Sequence, residues 1–145
     1  MLTQPLLDKL SQLHLSGFRA ALEEQLHNPQ YDDLSFEERL GLLVDIETTR
    51  RANNSLRRRI KAARFPIAAT IEDLDLSARR GLNRGQVLQL AQSEWVSRHL
   101  NLMILGPTGA GKTYLASALG RASCQAGCKV RYERTSRLLK SLELA

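Results

Sequence analysis

Residues 106–113 read GPTGAGKT, and no other stretch restricts the fold as much. A short apolar run, Leu100–Leu105, ends at Gly106, and an amphipathic run, KTYLASALGRASCQAG, begins at Lys112. The spacing predicts a strand buried on both faces, a glycine loop and a helix closed by Gly127. Gly106-x-x-x-x-Gly111-Lys112-Thr113 has the full Walker A spelling in its proper setting. The reason for that spelling is geometric. Glycines at 106, 109 and 111 let the backbone curl until successive N–H groups point at one anion, and the positive end of the helix dipole adds to them. Lys112 is expected to reach the β and γ phosphates of ATP or GTP, and the Thr113 hydroxyl to sit on Mg²⁺. A glycine turn that merely joins a strand to a helix is the alternative, which this context disfavours.

Hydrolysis needs more than the loop. It needs an acid at the end of a second apolar strand and a cation, often an arginine from a neighbour, at the transition state. After Thr113 the acids are Glu133 and Glu143. Glu133 ends KVRYE, a short and half-polar run with a single acid, and Glu143 lies in a helical pattern, so no catalytic residue is assigned. These residues alone are expected to bind nucleotide without turning it over.

Upstream, Leu2, Leu6, Leu10 and Leu13 recur at helical spacing, and after Ser16-Gly17 a second series, Phe18, Leu22 and Leu26, leads into HNPQYDD. One helix of about thirty residues follows, opened by Ser35 and Glu38 at capping-box spacing and closed near Pro66. Asn83 is the expected N-cap of a helix through Val87, Leu88 and Leu90 towards Trp95. KVRYE alternates as a strand and SRLLKSLELA starts another helix. The fold class expected is an N-terminal α-helical domain followed by the first part of an α/β P-loop domain.

The long helix carries the charge. The net charge is +6, and from Arg50 to Arg64 there are seven basic residues and no acid. At about 100° per residue, Arg50, Arg57, Lys61 and Arg64 fall on one stripe with Arg51 and Arg58 beside it. Thr49, Ala52, Leu56, Ile60 and Ala63 share another face, and Arg59 strays from both. Such a helix suits a phosphate backbone read with little base selectivity. A solvated charged face is the alternative, and the apolar face is too poor in Trp, Phe and Leu for an anionic-membrane or calmodulin-type helix. No apolar stretch approaches the length of a membrane span or forms an uninterrupted signal core, so a soluble, cytoplasmic protein is expected. Cys124 and Cys128 read as small reduced core residues, and His14, His27 and His99 are assigned no chemistry.

The chain resembles the IstB-like ATP-binding proteins, helper ATPases encoded beside the transposase in one group of bacterial insertion sequences and related to DnaC-type helicase loaders. The likeness rests on LSFEERLGLLVDIE, NNSLRRRIKAARFP, TIEDLD, RGLNRGQVLQLA and the long stretch from Glu94 to Leu142 that contains the loop. The resemblance implies an AAA+ ATPase behind a helical domain, ATP-dependent homo-oligomers on duplex DNA, and delivery of that DNA to a partner transposase. It divides the chain into residues 1–74, helical and DNA-binding, and 75–145, the start of the ATP-binding domain. The nucleotide positions carried over are Gly106, Pro107, Thr108, Gly109, Ala110, Gly111, Lys112 and Thr113, with Tyr114 next in the helix and the segment Arg80–Arg84 near the adenine. The family continues for roughly another hundred residues with the Walker B acids, sensors and arginine finger. The expectation is thus a truncated protein, a frameshifted product or an incomplete sequence, in which Leu100–Leu105 and Lys129–Glu133 would not pair. A helicase-loader-like adaptor and an inactive remnant are the other functional readings.

Overall fold

Every regular element described in the computed structural model is helical, and the structure describes residues 3–76 and 81–145. Packing divides the chain into two units, Met1–Ser55 and Leu56–Ala145, within a long helix and upstream of the 74/75 division read from the sequence. The first unit holds α1 (Thr3–Gln12), α2 (Ser16–His27), a 3₁₀ turn (Pro29–Tyr31) and the first part of α3 (Phe36–Ala63). The second holds the end of α3, α4 (Arg84–Ala91), α5 (Glu94–Ser97), α6 (Lys112–Gln125) and α7 (Thr135–Glu143).

In the first unit the chain turns between α1 and α2 at His14, whose φ of 58° is left-handed. The apolar stripe of α1 buries Leu7 and Leu10, while Leu6 and Leu13 stay exposed. The capping box forms as spelled: the Glu38 N–H donates to Ser35 Oγ at 3.2 Å and the Ser35 N–H to Glu38 Oε2 at 2.8 Å. Buried Gln25 joins α2 to α3, donating to the Arg39 carbonyl at 3.1 Å and accepting from Arg39 Nε at 3.3 Å.

The other polar tie is Glu47, which is buried. Its carboxylate accepts from Arg50 Nη2 at 2.6 Å, Arg51 Nε at 3.0 Å and the Phe18 N–H at 3.0 Å. Arg50 also donates to the His14 carbonyl at 3.1 Å, so the α1–α2 turn is bound to α3 through one ion-paired group. Glycine at 17 is required by this closeness, since a Cβ there would lie 2.9 Å from both Glu47 Oε2 and Arg50 Cδ. The hydrogen bond from Arg50, with those from Arg51 and Phe18, outweighs burial and holds the Glu47 carboxyl at about 2, against an ordinary 4.5.

In the second unit the core forms around Val87, Leu115 and Leu119, with Ile71, Leu74, Leu82, Leu90, Leu102 and Ile104 packed against them. Asn83 caps α4, accepting from the Gly85 and Gln86 N–H groups at 2.8 and 3.3 Å. The helix expected to run towards Trp95 instead ends at Ala91. Ser93 adopts a left-handed φ of 62° before α5, and its hydroxyl meets that of Ser123 at 2.8 Å. Gly127, φ 93°, closes α6 as expected, with the Cys128 N–H donating to the Ser123 carbonyl at 2.9 Å. Gly120 makes room on α6 for Phe65: a Cβ there would lie 2.5 Å from the ring. Arg59, off the basic stripe, donates from Nε to the Cys124 carbonyl at 3.0 Å. Both cysteines are free thiols, and burial pushes that of Cys124 up.

The two expected strands carry no β-ladder among the described residues. Leu100–Leu105 keeps the alternation of a strand but buries one face only: Leu102 and Ile104 pack on the core, whereas Met103 and Leu105 are about four-fifths exposed. The Leu100 N–H donates to the Trp95 carbonyl at 2.9 Å and the Tyr132 N–H to the Ala63 carbonyl at 2.8 Å, neither as part of a ladder, and with Met103 and Leu105 exposed the expectation that Leu100–Leu105 is buried on both faces is corrected.

Glu47 makes the stability of the first unit pH-dependent. Its folded pKa lies below the unfolded one, so its contribution is complete above about pH 4.5 and is lost as pH falls towards 2. Glu47→Gln should melt below the wild type at pH 7, with the gap closing as the pH approaches 2. A gap that stays constant across that range would contradict the assignment.

Candidate functional site

Gly106–Gly111 forms an exposed loop that leads directly into α6. Its curl needs glycine at two positions, since Gly109 and Gly111 have φ of 81° and 98°. The Ala110 N–H bonds the Pro107 carbonyl at 3.2 Å and closes the turn. Gly111 is the N-cap and offers no side chain to the first-turn N–H groups, which leaves them for an external acceptor. Lys112 folds back over the loop, and its Nζ donates to the Gly106 and Pro107 carbonyls at 2.8 Å each. Thr113 is exposed in the first turn of α6, and Tyr114 is half-buried.

A cavity of about 300 Å³ adjoins the loop, lined by Leu74, Leu82, Ile104, Gly111, Lys112 and Tyr114, with Asp73 and Asp75 also on its wall. An uncapped helix start, an ammonium held over the loop and an apolar recess beside them fit a phosphate-bearing ligand with a planar base. Of the segment expected near the adenine, Leu82 lines this cavity, Arg84 lines a neighbouring cleft, and Arg80 falls outside the described residues. The two aspartates were missed as site residues. TIEDLD contributed to the resemblance, but its spacing says nothing of where the segment packs. Glu133 pairs with Arg131 and lines a different cavity.

The basic residues of α3 part into distinct settings. Arg50 and Arg51 are in the first unit and engaged by Glu47. Arg57, Arg58 and Lys61 are exposed on α3 in the second unit. Arg64 lies one residue past the end of the helix with a left-handed φ of 56°, so the helical projection that placed it on the stripe does not apply. Among the described residues no group of three or more His, Cys, Asp or Glu could hold a metal, and no helix is long and apolar enough to cross a membrane.

The glycine-curled loop, its lysine and the uncapped helix start define the class: a P-loop nucleotide-binding protein. The chain belongs to the family of IstB-like ATP binding proteins, whose pattern matches residues 8–145. It is 44% identical over 146 residues to a protein named for ATP binding in insertion sequence IS1162 of Pseudomonas fluorescens, covering all of this chain and 63% of that one. A Sinorhizobium fredii insertion-sequence protein likewise named for ATP binding, y4pL, is 39% identical over all of this chain and 59% of its own length. Rv3427c of Mycobacterium tuberculosis, similarly named, is 36% identical over 92% of this chain and 53% of its own. The chain therefore spans little more than half to three-fifths of these relatives.

Gly109→Ala tests the loop without adding a clash, because a Cβ at 109 meets nothing within 4 Å. With alanine the free loop should relax out of the left-handed backbone, so that re-forming the curl around ligand costs about 1–2 kcal/mol and weakens Mg-ATP binding by about tenfold with little change in melting temperature. Unchanged affinity would show that the curl at Gly109 is not needed for binding.

Proposed function

We propose that this chain is an ATP-binding helper of insertion-sequence transposition, which holds duplex DNA with little sequence preference and presents it to a partner transposase. Family membership and the loop geometry support the nucleotide half of this reading. The exposed Arg57, Arg58 and Lys61 support the DNA half, and the insertion-sequence names of the relatives support the context.

In this reading the loop from Gly106 to Thr113, through the N–H groups that its own carbonyls leave free, and the Lys112 ammonium bind the phosphates, Thr113 holds Mg²⁺, and the base lies against Leu74 and Leu82. Asp73 on the same wall repels a bare triphosphate, so binding depends on the cation. Nucleotide acts as a switch for homo-oligomerisation on DNA. Turnover is not proposed for these residues: Glu133, which ends the half-polar run KVRYE, pairs with Arg131 and lines a cavity other than the one beside the loop.

The observation that carries the DNA reading is the cluster of three exposed cations on one helix with no acid among residues 50–64. Fluorescence anisotropy with a labelled duplex, across a salt series and with or without Mg-ATP, tests it. The expected result is a steep salt dependence, similar affinity for unrelated sequences, and a gain with Mg-ATP. Substituting Arg57, Arg58 and Lys61 together with Glu should weaken binding at least about tenfold. Unchanged DNA binding by a folded triple variant would overturn the reading in favour of a protein-docking adaptor.

A further inference from the structure

A second group of arginines assembles where the end of α3 meets residues 131–137. The buried Ala63 at the last position of α3 accepts a hydrogen bond from the Tyr132 N–H at 2.8 Å. That bond sets residues 131–134 beside Arg64, and α7 starts immediately after. The result is a cleft of about 460 Å³ lined by Arg64, Arg131, Tyr132, Glu133, Arg134 and Arg137. Four guanidinium groups share it with one carboxylate, a local balance of +3. Glu133 is engaged with Arg131, and among the described residues Arg64, Arg134 and Arg137 make no ion pair.

We propose that this cleft grips the phosphodiester backbone of nucleic acid. The inference rests on the DNA reading above and deepens it by naming a second contact surface. Several cations converging from two segments complement a ligand whose anions recur at short intervals, and guanidinium forks suit phosphate oxygens in particular. Arg64, Arg131, Arg134 and Arg137 are all exposed, so the groups remain hydrated and reachable. The lining offers Pro66 and a half-buried Tyr132 but no apolar centre of the kind a protein partner would bury.

The test compares three folded proteins by duplex-DNA anisotropy across a salt series: the wild type, an Arg57→Gln, Arg58→Gln, Lys61→Gln variant, and an Arg131→Gln, Arg134→Gln, Arg137→Gln variant. The cleft variant should bind at least about tenfold more weakly, its log–log salt slope falling by about 0.9 for each phosphate it no longer neutralises, while Mg-ATP affinity is unchanged. Arg64→Gly serves if that variant does not fold, because glycine suits the left-handed φ; its slope should fall by about 0.9. If the α3 variant is weakened but the cleft variant and Arg64→Gly match the wild type in affinity and slope, the cleft assignment alone is overturned. A wild type that binds no DNA overturns the DNA reading and the cleft with it. Lost Mg-ATP affinity with retained DNA binding would place a nucleotide phosphate in the cleft and also overturn the proposal.

Discussion

The packing of α6 against α4 and the run before the loop is the constraint on which the nucleotide site depends. Leu115 and Leu119 bury against Val87, and Leu102 and Ile104 close over them. Each such aliphatic side chain contributes about 1.5–3 kcal/mol when taken fully from water. This burial fixes both ends of the loop, one through Ile104 and the other through Leu115. Only then do glycines at 109 and 111 turn a connection into a cradle, because the start of α6 has a defined place from which its N–H groups point. The same helix receives Phe65 at Gly120 and Arg59 at the Cys124 carbonyl, so the end of α3 is positioned by the element that carries the loop.

That arrangement gives the arginines of α3 different tasks, although they look alike in sequence. Arg50 and Arg51 direct their charge to a buried carboxylate, and Arg59 reaches a helix carbonyl. Arg57, Arg58 and Lys61 stay in solvent, where a polyanion can meet them. Arg64 ends the helix in a left-handed turn and joins the 131–137 arginines. The proposed nucleotide and DNA surfaces both lie in the unit Leu56–Ala145, and each depends on α6 for its position.

What could be read from residue order was local. The Ser35–Glu38 box, the Asn83 cap and Gly127 at the end of α6 each depend on a few neighbouring residues, and each appears as spelled; of the three loop glycines, 109 and 111 are left-handed and 106 is not. What could not be read depends on separation. A helical projection places Arg50 and Arg51 on a cationic stripe, but it does not register a carboxylate three or four residues earlier that turns inward and takes both. Nor does it show that the helix ends before Arg64. Asp73 and Asp75 gain meaning only when their segment packs beside Lys112, and the arginine cleft exists only because Tyr132 bonds Ala63. The alternation in Leu100–Leu105 survives as a one-sided apolar face, since burial of the other face needs a neighbour that the described residues do not supply.

The central claim for this chain is that the loop from Gly106 to Thr113 binds a nucleotide through the α6 N-terminus and Lys112. Titration of the folded chain with a fluorescent ATP analogue, in the presence and absence of Mg²⁺, measures this most directly, with Lys112→Ala beside the wild type. Binding should be saturable, dependent on Mg²⁺ and reversed by excess ATP. It should weaken at least about tenfold in Lys112→Ala, as expected for removing a charge-assisted phosphate contact. No binding by the folded wild type, or equal binding by Lys112→Ala, would contradict it.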